Sequence, residues 1–534
     1  MEAALQKGTN RTADIATKAV LNLMAFCFNN FERYRKYLRS NEGWINFSVG
    51  LSTENKSVMQ SIHFENGKVS VHDGVENVSV ELILMDEKVL KLLASLPPNE
   101  VLNLLLKSKM TSRGNMAYLE YFNLLISVLL KDKQIKQMHQ QTRDAKKSAA
   151  LPKGETDDAP RRKKEYMRAG EADPGVRYIR EDQYLSSYSL EDFPRLAGFV
   201  DIHFTQRPAV CVERASILTH WFQKNGFEVQ ANGQPWNPEL RQAFAFKHLM
   251  EQRKPIIRKG DLIAGTTTTQ EIGVPIYPDT SGTLLWGELL TVSERMLNPY
   301  TISDEVAWEL NNVVMPFWAE RNVREWVRTK YHNPVCQQLD ERFAVNFLWK
   351  TVAFSHTILD YPKLLRLGAR GIIDEIEAEL KKDTGASQEK KDTLYAMHLC
   401  YEGIITYAKH LSEQAARDAA AEQDAARKAE LLHLSEICAR VPEHPSETFD
   451  EAVNAIWIHW IAVHMENTNA GFSLGRMDQF LQPYFVADME KLHTPQEREA
   501  FVKHAIEMVG CFYMRCTDHL PTIPDIGNYL FGGS

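Results

Sequence analysis

Between Lys131 and Gly175 the chain carries few large apolar residues. It reads Lys131-Asp-Lys-Gln134, then Pro152-Lys-Gly-Glu-Thr-Asp-Asp-Ala-Pro160-Arg-Arg-Lys-Lys164, then Gly170-Glu-Ala-Asp-Pro-Gly175. A stretch of this kind buries too little surface to offset the entropy of ordering it. It therefore splits the chain into two folding units, 13–132 and 176–534, joined by a flexible charged linker over 133–175. The basic run Arg161–Lys164 reads as part of that solvated linker.

The first unit opens with helical periodicity over 13–39, where Ala16, Val20, Leu21, Met24, Phe28 and Phe31 share an apolar face. Four β-branched, alternating runs follow: Trp44–Gly50, Val58–Phe64, Lys68–His72 and Val78–Leu84. The pairs Asn66-Gly67 and Asp73-Gly74 mark tight turns between them. Helical patterning returns at Lys88–Ala94 and Ala117–Leu130 around a short segment, Leu102–Lys109. Helix, strands, then helices predict an α+β domain. The closing segment, Leu104-Leu-Leu-Lys-Ser-Lys-Met-Thr-Ser-Arg-Gly-Asn-Met-Ala117, resembles the end of a sterol-carrier (SCP2-like) domain. The resemblance implies a tunnel for a lipid or other apolar ligand; the alternative is a docking domain with a filled core.

Composition narrows the functional classes. The 534 residues are 44% hydrophobic and 25% charged, with a formal charge of −8. This argues against a nucleic-acid-binding protein. There is no apolar run of transmembrane length and no basic-then-apolar leader pattern. The seven cysteines (27, 211, 336, 400, 438, 511 and 516) are scattered and odd in number, which suggests reduced thiols in a cytoplasm. Cys511 and Cys516 read as core thiols. No zinc, iron–sulfur or P-loop pattern is present. His459 and His464 are five apart, off the spacing of a helical metal pair.

The second unit is predicted to be helix-rich. Helical patterning covers Glu305–Lys330, Ile372–Lys381 and Lys391–His433, with Ala415–Arg427 reading as an exposed stretch. Thr448 and Glu451 form a capping-box pattern ahead of a core stripe of Phe449, Ala452, Val453, Ile456, Trp457, Trp460 and Val463.

A series of motifs runs through this unit: Pro208-Ala-Val-Cys-Val-Glu-Arg214, Ala243-Phe-Ala-Phe-Lys-His248, Lys259-Gly-Asp-Leu-Ile-Ala-Gly265 and Ile276-Tyr-Pro-Asp279. They continue with Pro316-Phe-Trp318, Ser355-His-Thr-Ile-Leu-Asp-Tyr361, Gly368-Ala-Arg-Gly-Ile-Ile373 and Arg440-Val-Pro442. The series closes with Glu466-Asn-Thr-Asn-Ala-Gly-Phe-Ser-Leu-Gly-Arg-Met-Asp478. In that order they resemble the glycyl radical enzymes of the pyruvate formate-lyase type.

The resemblance implies a helix-rich α/β fold: a ten-stranded barrel, here partial, enclosing a dry chamber for hydrogen-atom chemistry. It implies a glycyl radical installed by a separate S-adenosylmethionine/iron–sulfur activase, and a thiyl cysteine at the barrel centre. None of the seven cysteines sits in the Gly-Cys-x-Glu-like loop that the family uses, and no Arg-Val-x-Gly-Tyr-like segment appears. Asn528–Ser534 reads as an interior strand and loop, so the barrel is expected to be incomplete at the C-terminus and inactive alone. No catalytic residue and no metal ligand is assigned within the chain. His356, Glu466 and Phe472 are the candidates for the substrate pocket, and Arg476–Asp478 reads as a structural charged turn.

The expected activity is that of a C–C lyase or decarboxylase on a small, conceivably aromatic, carboxylic acid. The alternatives are a dehydratase of a diol or hydroxy acid, and a lipid-binding or docking protein acting through the first unit. The expected partners are the substrate, the activase, a complementary C-terminal chain and a second copy in a homodimer. Neither nucleic acid nor a membrane span is expected.

Overall fold

The computed structural model describes residues 2–93, 104, 107–130, 188–341, 357–468, 472–520 and 522, leaving out 281, 296–297, 331–332, 383–384 and 386 within those spans. The expected linker 133–175, the candidate His356 and the segment 528–534 lie outside the described residues.

The first unit is built on a five-stranded sheet. Its strands are β1 (Phe47–Thr53), β2 (Met59–Glu65), β3 (Lys68–Asp73), β4 (Val80–Leu84) and β5 (Met110–Gly114), in the order β3-β2-β1-β4-β5. All neighbours are antiparallel except β1 and β4, which run parallel with Val49 opposite Val80. The Asn66-Gly67 turn forms as predicted, with φ of 51° and 72°. A Cβ on Gly67 would sit 2.8 Å from the Trp44 ring, so both conformation and space require glycine there. Strand β5 falls inside the segment read as a closing tail.

Helices α1 (Glu2–Asn30) and α2 (Met116–Leu129) cover one face of this sheet. Phe47 and Phe64 stack across the β1–β2 pair at 4.5 Å. Phe28 of α1 meets Phe64 edge-on, and Tyr118 and Tyr121 of α2 meet Phe47. The predicted helix 13–39 breaks at Phe31, whose backbone is extended.

The two units share one core. Apolar residues from both belong to a single buried cluster. Tyr121 stacks on Trp286 at 4.3 Å, Asn115 Nδ2 donates to the Ala319 carbonyl at 2.9 Å, and Tyr118 donates to Glu320 at 2.8 Å. Asn312 on a π-helical turn over Leu310–Val314 donates to the Arg39 carbonyl at 2.7 Å.

The second unit is mostly helical. Its parallel strand pairs are short: β6 (Ala209–Cys211) with β7 (Gly273–Pro275), and β8 (Thr357–Ile358) with β9 (Phe472–Ser473). Single parallel bridges, Ala209 to Thr301 and Gly273 to His519, widen the first pair on both sides.

Around these strands lie α3 (Glu213–Asn225), α4 (Pro238–Gln252), α5 (Tyr361–Lys382), α6 (Gln388–Ala421), α7 (Ala425–Arg440), α8 (Phe449–Glu466), α9 (Met477–Glu490) and α10 (Pro495–Thr517). The region read as one helix over 391–433 is two helices, separated at Glu422–Asp424, with Asp424 capping α7. The stretch expected to be exposed has Ala415 and Ala419 fully buried. Small side chains there let α6 and neighbouring elements approach closely.

Helix α8 is the hub. The predicted stripe is buried apart from half-buried Val463, but Asp450, Asn454, His459 and His464 on its other sides are buried as well. A stripe argument assumes one wet face, and α4, α5, α6, α7, α9 and α10 all pack on this helix. Half of the expected capping box forms. Thr448 Oγ1 accepts from Glu451 N at 3.2 Å, while the Glu451 carboxylate turns to the Glu447 N–H at 2.6 Å.

Candidate functional site

The motifs, far apart in sequence, converge on α8. Its last turn exposes carbonyls that have no intrahelical partner, and three of them are taken up by two earlier motifs. Tyr277 donates to the His464 carbonyl at 2.7 Å. Arg214, at the start of α3, donates through Nε to the Met465 carbonyl at 2.8 Å and through Nη2 to the Glu466 carbonyl at 2.9 Å. Its guanidinium also grips Asp279 bidentately, at 2.9 and 3.0 Å, and lies over the Tyr277 ring. A buried cation at a helix C-terminus is favoured by the helix dipole, and the Asp279 fork completes its hydrogen bonding.

The Lys259–Gly265 loop fastens the flank of α8. Asn454 accepts from Ala264 N at 3.0 Å, and Trp457 Nε1 donates to the Gly265 carbonyl at 3.0 Å. Buried Asp261 pairs with Arg515 of α10 at 3.1 Å. The Gly368–Ile373 run meets the Arg-Val-Pro motif: Ala369 N donates to the Pro442 carbonyl at 2.7 Å, and Arg370 forms an ion pair with Glu443 at 2.9 Å. The N-terminal end of α8 is held by Asp450, which lies 3.1 Å from His433 and 2.9 Å from His504. Burial works against its ionisation, but those two hydrogen bonds win and bring Asp450 down to about 2.

The candidate pocket residues sit just past the anchored end of α8. Glu466 is exposed, yet protein crowds it on most sides. That crowding raises its carboxyl above the usual range, with Arg214 opposing the shift. Phe472 is half-buried, lies in β9 opposite Thr357, and has its ring 5.4 Å from His464. The residues after His356 and those around Phe472 therefore form one parallel ribbon. Arg476 and Asp478 make an exposed ion pair at 2.6 Å, the structural turn expected.

Two residues beside this ribbon carried no sequence signal. His464 donates from Nδ1 to the Trp460 carbonyl at 2.8 Å and stacks on the Trp460 ring. The His519 ring lies 4.5 Å from that of His464. Burial holds His464 down to about 4, and burial together with His464 lowers His519. Both are neutral near pH 7, able to give or accept a hydrogen bond without carrying charge. A backbone bridge fastens His519 to Gly273 of β7, and its ring meets Trp460 and His464 of α8; no local pattern encodes that meeting.

All seven cysteines are free. Six lie in helices and Cys211 ends β6, so none is on a loop tip. Burial pushes Cys400, Cys438 and Cys516 up to about 12. Among the described residues no group of three or more His, Cys, Asp or Glu could hold a metal ion, and no helix is long and apolar enough to cross a membrane.

Parallel strand stubs wrapped by helices, with the motif loops gathered on one buried helix, agree with a likeness to solved glycyl radical enzymes, one of them from Archaeoglobus fulgidus with a TM-score of 0.54 at 25% identity over 62% of this chain and 41% of that one. The chain belongs to the pyruvate formate lyase-like family, whose model matches residues 199–534. Isethionate sulfite-lyase of Oleidesulfovibrio alaskensis is 30% identical over 352 residues, covering 63% of this chain and 40% of the relative. Trans-4-hydroxy-L-proline dehydratase of Clostridioides difficile is 27% identical over 350 residues, with 63% and 41% covered. The glycerol-bound form of the B12-independent glycerol dehydratase from Clostridium butyricum superposes with a TM-score of 0.56 at 26% identity, over 63% of this chain and 41% of that one. The relatives thus include lyases, dehydratases and a decarboxylase, and the chain spans about two fifths of the length of the relatives it matches.

Proposed function

We propose that residues 199–534 supply part of the chamber wall of a glycyl radical lyase, and that the thiyl cysteine and radical glycine come from a further polypeptide segment. The observation that carries this reading is the anchoring of α8. Two motifs hold its last three carbonyls and thereby fix where Glu466 and the Phe472 ribbon project. Rigid placement of a wall is what radical chemistry asks of a scaffold, because a misplaced substrate leaves the reactive intermediate unprotected. Among the described residues the two parallel stubs are the strands available to such a barrel. The placement of all seven cysteines on helices or a strand agrees with a thiyl site located elsewhere. Installed by its S-adenosylmethionine activase in an anaerobic cytoplasm, the radical would supply hydrogen-atom abstraction. This chain's own residues bind, orient and exclude water.

For the reaction, elimination from a small oxygenated substrate is the better supported subtype. The His464 ring lies against Phe472 and the His519 ring against His464, and relatives of the chain are named as a sulfite-lyase and a dehydratase. Decarboxylation of an aromatic acid is the second reading, favoured by Phe472 itself and by the decarboxylase relative. Thermal-shift titration of the chain with glycerol, isethionate, trans-4-hydroxy-L-proline and indoleacetate separates the two: stabilisation by indoleacetate alone would reverse the order. The radical assignment is tested on the anaerobically purified chain with its co-purifying partners, after treatment with activase. A low-temperature paramagnetic doublet that vanishes in air is expected, and an activated complex lacking it would refute the reading.

The first unit is proposed as an SCP2-type domain used for docking rather than carriage. Its α2 is buried between the sheet and the Trp286 segment, and aromatic rings fill the space beneath the sheet. Saturable binding of a fluorescent fatty acid by the chain would restore the carrier reading.

A further inference from the structure

The sheet of the first unit turns one face to α1 and α2 and the other away from them. Side chains alternate along a strand, so Ile62, Phe64 and Val69 are buried on the helix side. Ser61, His63 and Glu65 of β2 stand on the opposite face, with Lys68, Ser70 and His72 of β3. β3 is an edge strand of the sheet. The pairing sets His63 opposite Ser70 and His72 opposite Ser61, so the two histidines occupy a diagonal across the ladder. Ring side chains can meet along such a diagonal. The two imidazoles do so, with centroids 4.8 Å apart and planes at 77°.

Each ring is held by the serine two residues before it on its own strand. His63 Nε2 lies 3.1 Å from Ser61 Oγ, and His72 Nε2 lies 2.9 Å from Ser70 Oγ. Glu65 places a carboxylate oxygen 3.9 Å from His63 Nδ1, and Lys68 stands opposite Glu65. The carboxylate favours the proton on Nδ1 and leaves the Nε2 lone pair for a donor or a cation. A carboxylate behind the outer ring nitrogen is how metal-ligating histidines are oriented. Burial lowers the His63 imidazole below its ordinary 6.5, His72 adds to the shift and Glu65 opposes it. The ring is therefore uncharged at pH 7, the form that ligates metal. His63 is half-buried and His72 exposed, so the pair is open to solvent.

We propose that His63 and His72 form a two-imidazole site for a divalent late transition-metal ion of the zinc, nickel or copper class. Ring nitrogens about 2.0–2.1 Å from one shared ion hold their rings roughly 5 Å apart, a separation the pair already meets. Imidazole suits these ions, whereas magnesium and calcium take oxygen ligands. The protein supplies two ligands and water completes the coordination. The bound ion ties edge strand β3 to β2 through side chains, in addition to the backbone ladder, and so stabilises the folded first unit by mass action.

Zinc titration of the full chain, read by diethylpyrocarbonate footprinting and mass spectrometry, tests the proposal residue by residue. Saturating zinc should cut the modification of both His63 and His72 by about tenfold, chelation should restore it, and nickel should act like zinc. Magnesium at the same concentration should leave both rings reactive. His72→Ala, at an exposed position where circular dichroism should show an unchanged fold, should lower the zinc affinity read at His63 by about tenfold or more, and Glu65→Gln should lower it by a smaller factor. Unchanged reactivity of the two rings in zinc, or protection by magnesium as strong as by zinc, would overturn the proposal. Protection of His63 that survives His72→Ala would overturn it too, as adventitious binding to a single ring.

Discussion

Helices α2 and α8 are both buried on nearly every side, one in each unit, and they handle their polar groups differently. Along α8 three buried side chains fasten other parts of the chain: Asp450 the two histidines, Asn454 the Lys259–Gly265 loop, Trp457 the carbonyl of Gly265. In α2, Asn115 caps the helix and reaches Ala319, but Glu120 is 1% exposed and neither carboxyl oxygen has a hydrogen-bond partner. Burial, with Glu288 nearby, raises its carboxyl well above the usual range. These ties make α8 a fixed reference for the site, even though its His459 Nδ1 is buried without a partner. In α2 the unsatisfied Glu120 carboxyl leaves the seam between the units less stable than its apolar packing would allow.

The contrast can be broken most forcefully at Arg214. Arg214→Ala strands Asp279 and frees two carbonyls of α8, and should cost about 3–5 kcal/mol in chemical denaturation, with Arg214→Lys restoring part. An unchanged midpoint would show that α8 does not depend on its C-terminal clamp.

The other end of α8 responds to pH. Hydrogen bonds to Asp450 raise His433 and His504 above 6.5. Their contribution is complete below pH 6.5 and fades as pH climbs through the raised values. Asp450, lowered from 3.8 to about 2, contributes above pH 3.8 and loses that contribution as pH falls toward 2. His459 and His464, held down to about 4 by burial, act oppositely to the histidine pair: stability declines as pH drops below 6.5. Stability should therefore peak near pH 6.5. Asp450→Asn should cost roughly 2 kcal/mol at that pH and flatten the alkaline limb, which thermal melts across pH would record.

In α2 the sign reverses. A carboxyl raised in the folded state costs stability as pH rises above its unfolded value of 4.5. Glu120→Gln should thus stabilise by about 1–2 kcal/mol at pH 8 and have no effect below pH 4. The smallest effect is expected from Tyr277→Phe, about 1 kcal/mol for one hydrogen bond to the His464 carbonyl, with Arg214 still in place.

Much of this was legible in the chain. The turn at Asn66-Gly67 and four of the five sheet strands followed from local chemistry, because hairpin turns and alternation are written within a few residues. β5 was missed because Met110–Gly114 has neither β-branched repetition nor alternation. The ordered motifs of the second unit pointed to the family.

Local sequence determined the Thr448 cap that opens α8 and that Gly67 had to be glycine, since each depends on neighbours within a turn or two. Tertiary structure alone decided that α8 is buried all round and that Arg214, Tyr277 and Asp279 meet at its end. It also decided that His519 reaches His464 and that the two units share one core. Those contacts join residues tens to hundreds of positions apart, and burial and ion pairing depend on distance in space, which no local pattern records.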